Sequence, residues 1–182
     1  MAGRQGKAVQ EKMQAALVLM LQERALPEIS VTALCRAAQV HRSTFYTYYE
    51  NLEQILDELE SEYMSHIAFL DCHAGEAEMI GRVQSFVNYA QSHVPLLRAL
   101  TKSHRLTDAF FQQSLAFTHQ VNKKKGRPDA NAREQLLAVY TTAGTMALVK
   151  EWLFHCPHYS PEEVTRLIIR LSHSAAVALD LP

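Results

Sequence analysis

Residues 29–56 read ISVTALCRAAQVHRSTFYTYYENLEQIL, and the spacing inside this stretch decides the fold. Ser30 has the chemistry of an N-cap and opens a short helix over 31–37, with Val31, Leu34 and Ala38 facing inward. A break at Gln39 and Val40 separates it from a second short helix over 42–48. Two short helices joined by a tight turn form an arrangement in which the second helix lies in a DNA major groove while the first braces it. The second helix is too short to be stable alone, so Val40 and Phe45 must hold it from beneath, with Tyr49 as a further anchor. His41, Arg42, Ser43, Thr44, Thr47 and Tyr48 are left for an outer face. Hydroxyls and a guanidinium on a short exposed helix suit phosphate oxygens and base edges.

Outward from this stretch the periodicity is helical throughout, with no sustained strand alternation. On the N-terminal side, Val9, Met13, Ala16, Leu17, Met20 and Leu21 form one apolar stripe, and Pro27 is expected to end that helix. On the C-terminal side, Asn51 caps a long amphipathic helix expected to run to about residue 71, burying Leu52, Ile55, Leu56, Leu59, Tyr63 and Ile67. Further helices are expected over about 76–92, 95–102 and 106–123, the last closed by the loop Lys123-Lys124-Lys125-Gly126-Arg127-Pro128. Asn131 with Glu134 reads as a capping box opening a helix to about 155. Ser160-Pro161-Glu162-Glu163 is a sharper one, with proline at the first helical position and glutamates at the positive helix end. The fold class is all-α, with about nine helices: an N-terminal three-helix unit over residues 1–50 and a second helical unit over 51–182.

Composition bounds the function classes. The chain has 182 residues, 48% hydrophobic and 20% charged, enough apolar material for a core. Its longest central run without a charge, residues 135–149, is shorter than the roughly 20 residues that span a bilayer, so no membrane helix is expected. Charges flank the short apolar run near the start and no small-residue cleavage site follows, so a secretory signal is not expected either. Cys35, Cys72 and Cys156 are odd in number and scattered, which suits reduced thiols and a cytoplasmic setting. The net charge of −1 is unevenly divided. Residues 1–50 hold six basic and four acidic side chains, and the remainder twelve and fifteen, so the N-terminal end is the one suited to a polyanion.

The stretch around Ser30-Val31-Thr32, Leu34-Cys35, Ala38-Gln39-Val40 and Arg42-Ser43-Thr44-Phe45-Tyr46 followed by Tyr48-Tyr49 resembles the helix-turn-helix of the TetR/AcrR transcriptional regulators. The resemblance covers about the first 60 residues. It implies a two-domain, nine-helix homodimer that binds double-stranded DNA at a palindromic operator, most simply as a ligand-responsive repressor. Residue by residue, it implies DNA contacts from Thr32, Arg42, Ser43, Thr44, Tyr46 and Tyr48. The tyrosines have an alternative role as packing aromatics, and Arg4 and Lys7 as either a DNA-reaching arm or a free tail. Two positions depart from the family pattern: Gln39 where glycine is usual in the turn, and Leu52 where a lysine usually meets a phosphate.

The remaining two-thirds carries weaker signals. Tyr140, Ala143, Gly144 and Ala147 on one helix, with Leu167, Ile168, Leu171 and Ala175 on the last, are expected to build a four-helix dimer interface, although one stripe must be partly intramolecular core. Tyr63, His66, Phe86, Phe110, Phe111 and His119 are candidate walls of a small-molecule effector pocket, although each taken singly reads first as ordinary helical core. The nine histidines include His155-Cys156-Pro157-His158 and Cys72-His73, but no further ligands at zinc spacing accompany them, and no metal or other cofactor is expected. No phosphate loop, nucleophile elbow or paired-carboxylate pattern supports an enzyme. The alternative to a DNA-binding regulator is a regulatory module of the same fold acting through a protein partner, a reading kept open by Leu52.

Overall fold

Helix after helix follows the sequence in the computed structural model, which describes residues 2–67, 75–102, 106–126, 128–129 and 131–178, with side chains described except at 2–5 and 106–112. The described elements are α1 (Ala2–Met20), a 3-10 turn η1 (Leu26–Glu28), α2 (Val31–Ala38), α3 (Arg42–Tyr48), α4 (Leu52–Ser65), α5 (Glu76–Ser92), α6 (Val94–Lys102), α7 (Leu106–Lys124), α8 (Ala132–His155) and α9 (Pro161–Ala178). No strand occurs among the described residues. The fold is all-α, as the periodicity requires.

The chain divides into two compact units, Met1–Ser65 with Pro95–Leu106, and His66–Val94 with Thr107–Pro182. In the first, α1 packs on α2 and α4, and α2 on α3. Met13, Leu17, Leu34, Phe45, Ile55 and Leu56 lose essentially all solvent contact there. The described α6 segment of this unit is held at both ends by one residue. The Gln22 side-chain amide donates to the Pro95 carbonyl at 2.9 Å, and the Lys102 ammonium donates to the Gln22 carbonyl.

In the second unit α9 lies against α5 and α8. Val83, Phe86, Val87, Val149, Trp152, Val164 and Ile168 are buried, and the Trp152 indole N–H donates to the Tyr159 carbonyl at 2.9 Å. The buried polar side chains Ser114, Asn122, Thr141, Thr142, Thr145, Thr165 and Ser172 all belong to this unit. Interior hydroxyls are costly unless bonded. The Ser114 and Thr142 hydroxyls meet at 2.9 Å, and Thr141 donates to the Leu137 carbonyl at 2.8 Å.

Both expected capping boxes form. Asn131 Oδ1 accepts from Glu134 N at 3.0 Å while Asn131 N donates to the Glu134 carboxylate at 3.1 Å. Ser160 N donates to Glu163 Oε2 at 2.7 Å and Glu163 N donates to the Ser160 hydroxyl at 3.2 Å, which holds the Glu163 carboxyl below its ordinary pKa.

Two helix ends differ from the sequence expectation. The first helix stops at Met20, ahead of Pro27: Gln22 and Glu23 turn back to the carbonyls of Leu19 and Met20, and the Gln22 side chain takes the Val18 carbonyl at 2.8 Å. Pro27 sits instead in the separate turn η1. The fourth helix, expected to about residue 71, stops at Ser65, with 66 and 67 already outside it; residues 68–71 lie outside the described residues. There the Ser65 hydroxyl donates to the Glu62 carbonyl at 2.7 Å, and His66 already belongs to the second unit, stacked on Tyr89 with ring centroids 3.7 Å apart.

Candidate nucleic-acid interface

The turn between α2 and α3 is built by backbone geometry. Ser30 caps α2, its hydroxyl accepting from Ala33 N at 3.1 Å. At the other end, Gln39 N donates to the Arg36 carbonyl and Val40 N to the Cys35 carbonyl, the paired bonds of a Schellman stop. This stop needs a left-handed residue, and Gln39 supplies it with φ 56° and ψ 44°. Gln39 thus makes the turn where glycine would be the easier residue, at the cost of strain that an L side chain feels in this region. Cys35 lies buried under the turn; burial pushes its thiol pKa up, with the Arg42 charge opposing.

Phe45 fixes α3 from below. It is fully buried, with Tyr46 edge-on at 5.2 Å and Tyr49 tilted at 5.9 Å between ring centroids. Tyr49 ends α3 with a second anchor: its hydroxyl donates to Glu58 Oε2 on α4 at 2.8 Å, and Glu58 also accepts from Gln14 on α1 at 3.1 Å. Burial, then the Glu58 carboxylate, pushes the Tyr49 phenol up to about 12. Asn51 caps α4 by accepting from Gln54 N at 3.0 Å.

With Phe45 and Tyr49 inside, Arg42, Ser43, Tyr46, Thr47 and Tyr48 face out, and Thr44 is half-buried. Tyr46 is 52% exposed and Tyr48 37%. Arg42 donates to the Tyr46 hydroxyl at 3.2 Å with its guanidinium 5.7 Å from that ring's centroid, so the two side chains share one surface. Thr47 donates to the Ser43 carbonyl at 3.0 Å. Thr32, in the first turn of α2, is exposed. Leu52 is buried, leaving no cation at the start of α4.

A contact not foreseen from the sequence ties α3 to α1. A Cβ at Gly6 would lie 3.2 Å from the Tyr48 hydroxyl and 3.5 Å from its Cε1, so Tyr48 rests on α1 at a position without a side chain. The sequence signal was a glycine inside a helix, where it costs stability unless another group needs the space.

In the second unit, Tyr140, Gly144, Ala147, Leu167 and Leu171 are exposed, Ala143 and Ala175 half-buried, and Ile168 buried. A groove of about 420 Å³ between α8 and α9 is lined by Tyr140, Ala143, Gly144, Ala147, Ile168 and Leu171 among others. It continues past Ala147 and Leu148 into a cleft of about 850 Å³ that includes Trp152, Tyr159 and Leu167.

Of the expected effector-pocket residues, Tyr63 is buried in the first unit, whereas His66, Phe86 and His119 belong to the second. Phe86 is buried; His66 and His119 are exposed, His119 pairing with Asp129 at 2.8 Å. The side chains of Phe110 and Phe111 lie outside the described residues, as does the Cys72–His73 pair. Among the described residues no three His, Cys, Asp or Glu side chains gather as metal ligands, and no helix is long and apolar enough to cross a membrane. His155 pairs with Glu151 at 3.0 Å.

No protein-family model and no curated protein matches the chain. Solved structures do. One described as a tetR-family transcriptional regulator from Streptomyces coelicolor is similar at 16% identity and a TM-score of 0.67, over 93% of this chain and 83% of that one. Another, described as dihydroxyacetone kinase operon activator DhaS, is similar at 18% identity and a TM-score of 0.62, over 91% of this chain and 94% of that one. The helical fold is thus the one these regulators share, as the resemblance of the first 60 residues implied.

Proposed function

We propose that this chain, having the fold of TetR-type regulators, is a DNA-binding transcriptional regulator that acts as a homodimer on a palindromic operator. One observation carries the reading: α3 presents Arg42, Ser43, Tyr46, Thr47 and Tyr48 outward while Phe45 and Tyr49 lock it from within. Arg42 with Tyr46 supplies donors for a base edge or phosphate, Ser43 and Thr44 contribute hydroxyls, and Thr32 and Tyr48 take the backbone on either side. Dimerisation through the α8–α9 face, with its exposed Tyr140, Leu167 and Leu171, would present α3 twice, and two half-sites follow from that symmetry. A small-molecule effector acting on the second unit completes the regulatory cycle, and the setting is cytoplasmic.

The sign of control is repression in this reading. One structural neighbour is named an operon activator, so transcript levels of the flanking genes with and without the protein decide the sign. DNA binding itself is tested by gel shift against the DNA flanking the protein's own gene, repeated across a salt series. Affinity should fall steeply as salt rises. Binding that ignores salt, or no shift at all, would favour the second reading, a regulator acting through a protein partner. Buried Leu52 supports that alternative, because it removes a cation from the start of α4.

A further inference from the structure

Glycine in the second turn of α1 destabilises that helix, and the close approach of Tyr48 is the feature that accounts for it. The phenol hydroxyl sits 3.2 Å from where a Cβ would be, tighter than ordinary contact, whereas the ring carbons sit at 3.5 and 3.7 Å, within it. The conflict created by a side chain at position 6 would therefore fall on the hydroxyl. The next tyrosine is tied to the same helix, since Gln10 donates to the Tyr49 hydroxyl at 3.5 Å. Thus α1 steadies both tyrosines at the end of α3. Lys7, the neighbour of Gly6, has a side chain 79% exposed and its ammonium lies 3.9 Å from Glu11 Oε1, one turn further along α1.

We propose that Gly6 is a positioning residue for DNA binding: it seats Tyr48 so that the phenol hydroxyl meets a backbone phosphate at the edge of the α3 face. This rests on the DNA-binding reading. It gives α1 a part in shaping the α3 face and gives Tyr48 a fixed hydroxyl where an exposed tyrosine would otherwise sample several positions. A hydroxyl held in place forms its phosphate contact without first being ordered, and a displaced one loses it.

The test is a two-by-two set, wild type, Gly6→Ala, Tyr48→Phe and the double variant, titrated into sonicated duplex DNA at low salt and followed by fluorescence anisotropy of the DNA label. Because the contact is to phosphate, no operator is needed. Gly6→Ala should weaken binding about two- to ten-fold, the range of one neutral hydrogen bond. Tyr48→Phe should weaken it similarly, and the double variant no further than either. The melting temperature of Gly6→Ala should hold or rise, since alanine favours the helix. Undiminished binding by Gly6→Ala, or equal losses from Gly6→Ala in the tyrosine and phenylalanine backgrounds, overturns the proposal while leaving the DNA reading intact. If the wild type binds no duplex, both fall together.

Discussion

At the scale of single residues, Gln39 and Tyr49 show how local chemistry sets the recognition helix. Gln39 holds a left-handed backbone that costs an L residue roughly 1–2 kcal/mol, while glycine in its place would cost about 0.5–1 kcal/mol in chain entropy. Gln39→Gly should therefore raise stability by about 0.5–1 kcal/mol in urea denaturation, with no change in helix content. Tyr49 predicts a pH dependence. Its phenol is pushed from 10.0 to about 12 in the fold, so the folded state holds the proton more tightly than the unfolded chain. Its contribution is complete below pH 10 and is lost as pH rises from 10 to about 12, where the unfolded chain ionises first. Tyr49→Phe should cost about 1 kcal/mol at neutral pH through the lost Glu58 bond, and should flatten that alkaline decline. Stability measured at stepped pH values separates the two effects.

At the scale of elements, α3 is held chiefly by Phe45, with Tyr49 as its second anchor. Phe45→Ala removes a fully buried side chain from a helix too short to persist alone, and should cost about 3–5 kcal/mol by denaturant titration. The α9 cap has the opposite pH sense to Tyr49. Its Glu163 carboxyl is held low by the Ser160 bonds, so the cap's contribution is whole above the ordinary carboxylate value and is lost as pH falls through the depressed one. Ser160→Ala should destabilise by about 1 kcal/mol and weaken that acid dependence. The element scale is also where the sequence was most readable. Ser30, Asn131 and Ser160 mark helix starts through side-chain chemistry that acts within three residues, and the structure keeps all three. The end of α4 was not readable, because the apolar rhythm carries on to buried Ile67 while the chain has already passed into the other unit. Nor could periodicity divide Ile168 from Leu167 and Leu171, or Leu137 from Tyr140. Several sides of α8 are apolar, so burial is decided by which neighbours arrive. The seating of Tyr48 on Gly6 joins residues 42 positions apart and leaves only a misplaced glycine as its trace.

At the scale of the whole molecule, the dimer reading separates two kinds of substitution on one helix. Leu171 is 50% exposed and Ile168 is 2% exposed. Leu171→Glu should leave the helical signal intact and shift sedimentation to the monomer, with weaker operator binding as the consequence. Ile168→Glu should instead lose the fold, since it buries an unpaired charge. If Leu171→Glu remains dimeric at micromolar concentration, α9 does not supply the interface.

The chain's one tryptophan, with its indole N–H bound to the Tyr159 carbonyl, lies in the second unit, whereas Tyr46, Tyr48, Tyr49 and Tyr63 lie in the first. Indole emission is consequently an optical gauge of one half of the protein. A first unit that melted on its own would leave that signal undisturbed and alter only the tyrosine absorbance. The two readouts will trace a single curve only where both halves unfold in one cooperative step.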